Sequence, residues 1–160
     1  MIDLRTARLR YVLQSLDKVT TGPEVADAVL RDIGMDRAEL DKESNRLPPN
    51  VEMIFVEKAC EQLRDNSFAA RVGLRSQDDT ALTSHISKYS RTLRHAIDHS
   101  TRYYEVLDPN CTISLHVSGN SASFELGFGD PDMAQSHRFI ELLMFSALSR
   151  MNGMTGETIF

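Results

Sequence analysis

The stretch 111-CTISLHVSGNSASFELGF-128 alternates apolar and polar residues on both sides of a Gly119-Asn120 dipeptide. This period of two is typical of strands with one buried face, and Gly-Asn suits a two-residue hairpin loop. A hairpin closed there pairs its apolar residues on one face: Val117 with Ala122, Leu115 with Phe124, and Ile113 with Leu126. Because loop length and hydrophobic register agree, the stretch predicts an antiparallel β-hairpin.

Most of the remaining chain has apolar residues at helical spacing. The predicted helices run from about Leu9 to Thr20, Pro23 to Ile33, Val51 to Leu63, Phe68 to Leu74, 80 to 89, 91 to 107 and Asp132 to Met151. An isolated two-stranded hairpin is only marginally stable in water, so it must pack on helices, gain a strand or pair with a partner. Residues 158–160 are predicted to begin such a further strand. The sequence therefore predicts an α+β fold, a mainly helical domain with an antiparallel β-hairpin or small sheet packed on helices.

Length and charge exclude several classes of protein. A chain of 160 residues favours a single domain, and its net charge of −5 argues against nucleic-acid binding by this chain alone. Cys60 and Cys111 are far apart and form no metal or redox motif, which favours a reduced, cytoplasmic protein. No apolar run approaches the roughly 20 residues of a membrane span, and the N-terminus does not resemble a secretory signal.

Two histidines in 95-HAIDH-99 raise the question of a metal site. Their spacing places both imidazoles on one helical face and resembles an inverted zinc-hydrolase motif with Asp98 in place of Glu. A helical wheel, however, puts Asp98 on the outer face, four residues from both Arg94 and Arg102, and puts the histidines on the flank. We therefore favour boundary histidines over a metal site. The sequence contains no phosphate-binding loop, dinucleotide fingerprint or nucleophile elbow, so we predict no enzymatic activity, no metal and no cofactor.

The order of four segments resembles a known family. They are 29-VLRDIGMDRAELDKESNRLPPNVEMIFVEKACEQLRDNSFAARVGLR-75, 91-RTLRHAIDHSTRYYEVL-107, the hairpin, and 137-HRFIELLMFSALSRMNG-153. Within them the matching pieces are Ile33-Gly34-Met35, Leu40-Asp41, Pro48, Asn66 to Leu74 and Thr92 to Leu107. Over roughly residues 20 to 156, this order and spacing resembles the N-terminal effector domain of one branch of AraC-type transcriptional regulators.

The resemblance implies that residues 1–160 form one N-terminal effector-sensing and dimerisation domain. Such regulators carry a C-terminal pair of helix-turn-helix units, and none follows Phe160, so we expect a truncated chain. The implied partners are a small-molecule effector of unknown identity, a second copy of the chain in a homodimer, and DNA only through the missing C-terminal domain. The protein is expected to be cytoplasmic and to have no membrane partner.

Candidate ligand-binding residues combine a polar group with apolar neighbours, which suits an orienting contact in a mostly apolar pocket. They are His85, Tyr89, His99, Tyr103 and Glu141. Glu141 lies within the apolar run 139-FIELLMFSAL-148, where a carboxylate must either reach solvent or find a partner. We predict that a small molecule binds between the helices and the hairpin.

Three alternatives to a ligand sensor stay open. The first is a metal-dependent hydrolase that uses His95 and His99. The second is a haem-type sensor, since helices followed by antiparallel strands could house haem on a histidine. The third is a pure dimerisation module, which would bind no ligand and would bury the hairpin edge or the first helix in a two-fold contact.

Overall fold

The computed structural model describes residues 4–42, 47–76 and 89–156. Within these ranges the elements are α1 (Leu4–Thr20), α2 (Glu24–Asp32), α3 (Arg37–Asp41), α4 (Val51–Leu63), α5 (Phe68–Leu74), α6 (Leu93–Leu107), β1 (Cys111–Ser118), β2 (Ser121–Phe128), α7 (Pro131–Gln135) and α8 (His137–Thr155). The predicted fold class, a mainly helical α+β domain with an antiparallel hairpin, is confirmed.

β1 and β2 form the predicted hairpin in the predicted register. Ile113 pairs with Leu126, Leu115 with Phe124 and Val117 with Ala122. Gly119 has a φ of 57° in the connecting turn, a backbone region that glycine adopts without steric cost. Within the described residues the sheet has these two strands and no third one.

The base of the hairpin packs against helices, and its tip extends into solvent. Cys111 of β1 shares a small buried cluster with Tyr104 of α6. Leu126 and Phe128 of β2 contact both this cluster and the main core. Residues 116–123, which include the turn, are all exposed. The helices therefore stabilise the hairpin from its base, which explains how so short a sheet is held.

Helices α1, α2, α4, α5 and α8 supply most of the main hydrophobic core. Its most completely buried side chains include Leu9, Leu16, Val29, Phe55, Phe68 and Phe139. Gly73 lets α5 approach α8 closely, because a Cβ at this position would lie 2.6 Å from the carbonyl oxygen of Leu142. Ser149 of α8 also donates a hydrogen bond to the carbonyl oxygen of Leu74 at 2.9 Å. These contacts fix the last helix against the middle of the chain.

Several predicted helix limits are confirmed. α1 ends at Thr20, α5 spans Phe68–Leu74, and Gly34 follows α2 with a φ of 73°. Residues Arg37–Asp41 form the short helix α3, which is not among the predicted helices. Asp36 accepts a hydrogen bond from the Glu39 backbone N–H, and Glu39 accepts one from the Asp36 N–H, so a capping box stabilises this helix.

The last helix differs from the prediction in two places. The single helix predicted over Asp132 to Met151 is divided into α7 and α8 at Ser136, whose hydroxyl accepts a hydrogen bond from the Phe139 N–H. A side-chain cap of this kind starts a new helix, which the apolar pattern alone did not indicate. The helix also continues beyond the predicted end at Met151, through Asn152-Gly153, until Gly156 ends it with a φ of 68°.

Two predictions fall on residues that the structure does not describe. Residues 80–88 of the further predicted helix and the strand predicted at 158–160 lie outside the described ranges. Among the helices that are described, none has the length and apolar content needed to span a lipid bilayer.

Candidate functional site

Helix α6 carries two of the predicted ligand-binding residues, His99 and Tyr103, and a third, Tyr89, lies shortly before it. The Thr92 hydroxyl starts this helix by accepting a hydrogen bond from the His95 N–H. His99 is half-buried on the flank of α6, as the helical wheel indicates. Tyr103 is 43% exposed, and Tyr89, just before the helix, is 88% exposed. Both tyrosines are therefore accessible to a ligand.

The other two predicted residues lie elsewhere. Glu141 is on α8 and is exposed, while its neighbours Leu142 and Leu143 are buried. The charge of Glu141 therefore reaches solvent, one of the two outcomes expected for a carboxylate in this apolar run. His85 lies outside the described residues.

The apolar face of the hairpin changes from buried to accessible along β1. Cys111 at its start is buried, Ile113 and Leu115 are half-buried, and Val117 is 43% exposed. On β2 the opposite residue Phe124 is also half-buried. Since α6 packs on β1, this partly covered apolar face lies beside the helix that carries His99 and Tyr103. An apolar surface next to polar side chains is the chemistry that suits a small organic ligand.

A cluster of ionisable groups is buried where α1 meets α4 and the α6–β1 corner. We call it the Arg8 cluster, and its members are Arg5, Arg8, Glu52, Tyr104 and Asp108. The Arg8 guanidinium donates to both carboxylate oxygens of Glu52, with its Nη2 at 2.8 Å from Oε2 and its Nε at 2.9 Å from Oε1. The same Nη2 lies 3.0 Å from Oδ2 of Asp108, and Nη1 donates to the Tyr104 hydroxyl.

Arg5 completes the Arg8 cluster from the preceding turn of α1. Its Nη1 donates to the carbonyl oxygen of Leu47 at 3.1 Å, and its Nε lies 3.9 Å from Oδ1 of Asp108. Glu52 and Asp108 are 1% and 0% exposed. Two arginines thus face two buried carboxylates, and this balance of charge is what allows them to be buried together.

Burial also sets the protonation of these groups. Burial raises the pKa of Tyr104 to about 12 and that of the nearby Cys111 to about 11, so both stay neutral at neutral pH. Burial raises the pKa of Glu52 as well, against the opposing effect of Arg8. Burial lowers the pKa of Arg8, but Glu52, Tyr104 and Asp108 outweigh it and hold that pKa well above the ordinary value.

Sequence reasoning missed the Arg8 cluster. Arg5 and Arg8 are three residues apart, a spacing that places them on one face of α1, directly beside the buried residues Leu4 and Leu9. Their position beside buried leucines was the sequence signal that these two arginines could be buried. The partners Glu52 and Asp108, by contrast, are 44 and 100 residues away from Arg8 along the chain.

The described residues contain no group of three or more His, Cys, Asp or Glu side chains placed to hold a metal ion. His95 and His99 do contact each other, with ring centres 4.7 Å apart and ring planes at 74°. A hydrolytic zinc site built on this pair would need a third protein ligand.

Comparison with known proteins identifies one family that matches this chain. No curated protein matches the chain significantly. A family model described as the arabinose-binding domain of AraC transcription regulator, N-terminal, matches residues 25–159. The match covers most of the chain, from α2 through α8, and leaves α1 outside. The chain therefore belongs to the family of arabinose-binding N-terminal domains of AraC-type transcription regulators.

Proposed function

We propose that this domain senses a small-molecule effector and thereby controls the DNA-binding half of an AraC-type regulator. The observation that carries the proposal is the family match over residues 25–159, since the family is one of regulatory ligand-binding domains. The partly covered apolar face of the hairpin beside α6 supports it, because it offers a surface for a ligand.

The effector binds between α6 and the apolar face of β1 and β2 in this proposal. Leu115 and Phe124 supply apolar contact, and His99 and Tyr103 supply the polar contacts that orient the ligand. Tyr89, Glu141 and His85 are retained as candidate contacts for larger ligands. An arabinose-type sugar is not assumed, because sugar sites favour aromatic platforms and the chain contains no Trp.

Signal transmission requires that the effector prefer one of two conformations. The proposed readout is the orientation or dimerisation of a C-terminal helix-turn-helix domain in the full-length regulator. Residues 1–160 act as one sensing and dimerisation domain, DNA is contacted only through the C-terminal domain, and the regulator works in the cytoplasm. The acidic balance of the domain, a net charge of −5, suits a part that does not itself touch DNA.

The test is a thermal-shift screen of small metabolites on the full-length regulator, followed by calorimetry on each compound that raises the midpoint. A ligand that binds the folded domain raises its stability. Tyr103→Ala and His99→Ala should weaken binding of that compound by about tenfold, roughly 1.4 kcal/mol. His137→Ala removes an exposed histidine at the start of α8 and should leave affinity unchanged.

Further measurements on the same purified protein distinguish a ligand sensor from the three alternatives. A sensor gives a ligand-dependent shift, whereas a pure dimerisation module gives a dimer by light scattering and no shift with any compound. A retained haem would show a Soret band. A metal-dependent hydrolase would retain stoichiometric zinc through purification and would lose both activity and stability on chelation. Constitutive DNA binding together with no shift from any compound would contradict the sensing proposal.

A further inference from the structure

His95 and His99 form an exposed pair one helical turn apart on α6. His95 is exposed and His99 is half-buried, so solvent reaches the pair. Their rings contact each other edge to face. Among the described residues, neither imidazole has a hydrogen-bond or ion-pair partner. Both rings are therefore available to an incoming ligand from the side that faces water.

The distance between the rings matches that of two imidazoles bound to one metal ion. With metal–nitrogen bonds of about 2.1 Å, two imidazoles at right angles on one ion have ring centres about 4.5 Å apart, and at the tetrahedral angle about 5.2 Å apart. The observed separation of 4.7 Å lies between these values. The ring planes cross at 74°, so the rings do not stack face to face. The pair therefore has the ring separation that binding of one ion requires.

Charged neighbours oppose a cation here only weakly. Arg94 directly precedes His95, Arg91 and Arg102 are one turn before and after the pair, and all three are exposed. Exposed charges are screened by water and salt, and long arginine side chains can turn away from the pair. Asp98 is exposed on the outer face, where it partly offsets these three positive charges.

We infer that His95 and His99 bind one divalent transition-metal ion of the class that prefers imidazole, such as Cu²⁺, Ni²⁺ or Zn²⁺. Two histidines four residues apart on a helix are a known chelating arrangement. Water fills the remaining coordination positions, so the site holds its ion reversibly and differs from a hydrolytic centre with three protein ligands. This inference departs from the sequence-based prediction of no metal, which weighed a hydrolytic centre. The inference does not depend on effector sensing, because it concerns ion binding to the face of α6.

The experiment is a calorimetric titration of the purified domain, free of any affinity tag, with Cu²⁺ and with Zn²⁺. The expected result is one ion per chain, with tighter binding of Cu²⁺ than of Zn²⁺. His95→Gln and His99→Gln should each weaken binding by about tenfold or more, since losing even an outer-shell partner of a metal ligand costs about 10- to 100-fold in affinity. Circular dichroism confirms that each variant is folded.

Two controls make the result specific to the pair. His116→Gln and His137→Gln remove exposed histidines elsewhere and should leave the affinity unchanged. His99→Gln/Arg102→His keeps the number of histidines but spaces them seven residues apart, about 10 Å along the helix axis. That distance is too long for one ion, so this double variant should bind as weakly as His99→Gln. Binding that survives His95→Gln and His99→Gln, or that the double variant restores, would overturn the inference.

Discussion

Arg8 joins three parts of the chain through a single guanidinium group. It donates to Glu52 on α4, to Tyr104 on α6 and to Asp108 just after α6. Because both carboxylates are almost completely buried, their charges depend on this one cation and on Arg5 for compensation. The residue looks like an ordinary polar position in the sequence of α1. Its burial is decided by partners that only the folded chain brings near.

Replacing Arg8 should therefore be costly. Arg8→Met keeps much of the apolar stem but leaves Glu52 and Asp108 buried without their main partner, and should lower the free energy of unfolding by about 3 kcal/mol or more. Urea denaturation followed by circular dichroism measures this change. Lys18→Met removes an exposed charge from the same helix and should change stability by no more than about 0.5 kcal/mol.

A double-mutant cycle identifies the cause of the effect. Arg8→Met should cost clearly less in a Glu52→Gln background than in the wild type, because the amide removes one of the two buried carboxylate charges that Arg8 compensates and leaves only that of Asp108. Equal costs in the two backgrounds would show that the Arg8 stem, rather than its charge, stabilises the fold.

Asp65 offers a test of pH dependence at an accessible site. Hydrogen bonds from Arg71 and from Ser67 lower the pKa of Asp65 to about 2. Because the folded-state pKa is depressed, the stabilisation is present above the ordinary carboxyl pKa of about 3.9 and is lost as the pH falls through about 2. NMR titration of the carboxyl group should show this low midpoint, and Arg71→Gln should move it upward. Asp98→Asn, at an exposed carboxylate, is the matched control and should leave the midpoint of Asp65 unchanged.

Among the secondary-structure elements, α5 and α8 show how a small residue permits close packing. A Cβ at Gly73 would lie 2.6 Å from the carbonyl oxygen of Leu142 and 2.9 Å from the Cβ of Phe145. Both contacts are with the main chain or the root of a side chain, which cannot turn away. α8 contains a second glycine, Gly153, with no atom within 4 Å of its would-be Cβ.

The same substitution at these two glycines should have opposite effects. Gly73→Ala should destabilise the domain by about 1–3 kcal/mol, because it overpacks the α5–α8 contact. Gly153→Ala should stabilise it by up to about 1 kcal/mol, because alanine has the higher helix propensity and meets no obstacle. Thermal unfolding of both variants measures the difference. A loss of stability at both positions would show that the α5–α8 contact is not the cause.

The elements also show which sequence patterns are decisive. The hairpin register was predictable because a two-residue loop and three apolar pairs all require the same alignment. The division between α7 and α8 was not predicted, because apolar spacing continues across Ser136 and only the capping hydroxyl marks the break. Residues His99 and Tyr103 could be placed on α6 from sequence. The exposure of Tyr103 depends on how α6 packs against the rest of the fold, which the helical wheel does not contain.

In the molecule as a whole, α1 is part of the core although the family match begins after it. Leu9 and Leu16 are completely buried, and Val12 is 1% exposed. Arg5 and Arg8 of the same helix neutralise the buried carboxylates. The structure therefore places this helix within the folding unit that contains residues 25–159.

Removing α1 should prevent cooperative folding. A chain that begins at Pro23 exposes the apolar surface that Leu9, Val12 and Leu16 cover, and leaves Glu52 and Asp108 without both arginines. We expect a loss of the sigmoidal thermal transition and binding of a hydrophobic dye. Val19→Ala, at a position that is 48% exposed, tests whether α1 tolerates change on its outer side and should leave the transition intact. A chain without α1 that melts like the wild type would contradict this expectation.

The exposed tip of the hairpin has a practical consequence. Residues 116–123 are all exposed, and the strands are held from the opposite end. Exposed turns of this kind are where inserted domains are best tolerated. A circularly permuted fluorescent protein spliced between Gly119 and Asn120 would lie at the far end of the strands that flank the proposed ligand surface. The domain thus provides its own attachment point for an optical biosensor, which would report an effector in living cells before its chemical identity is known.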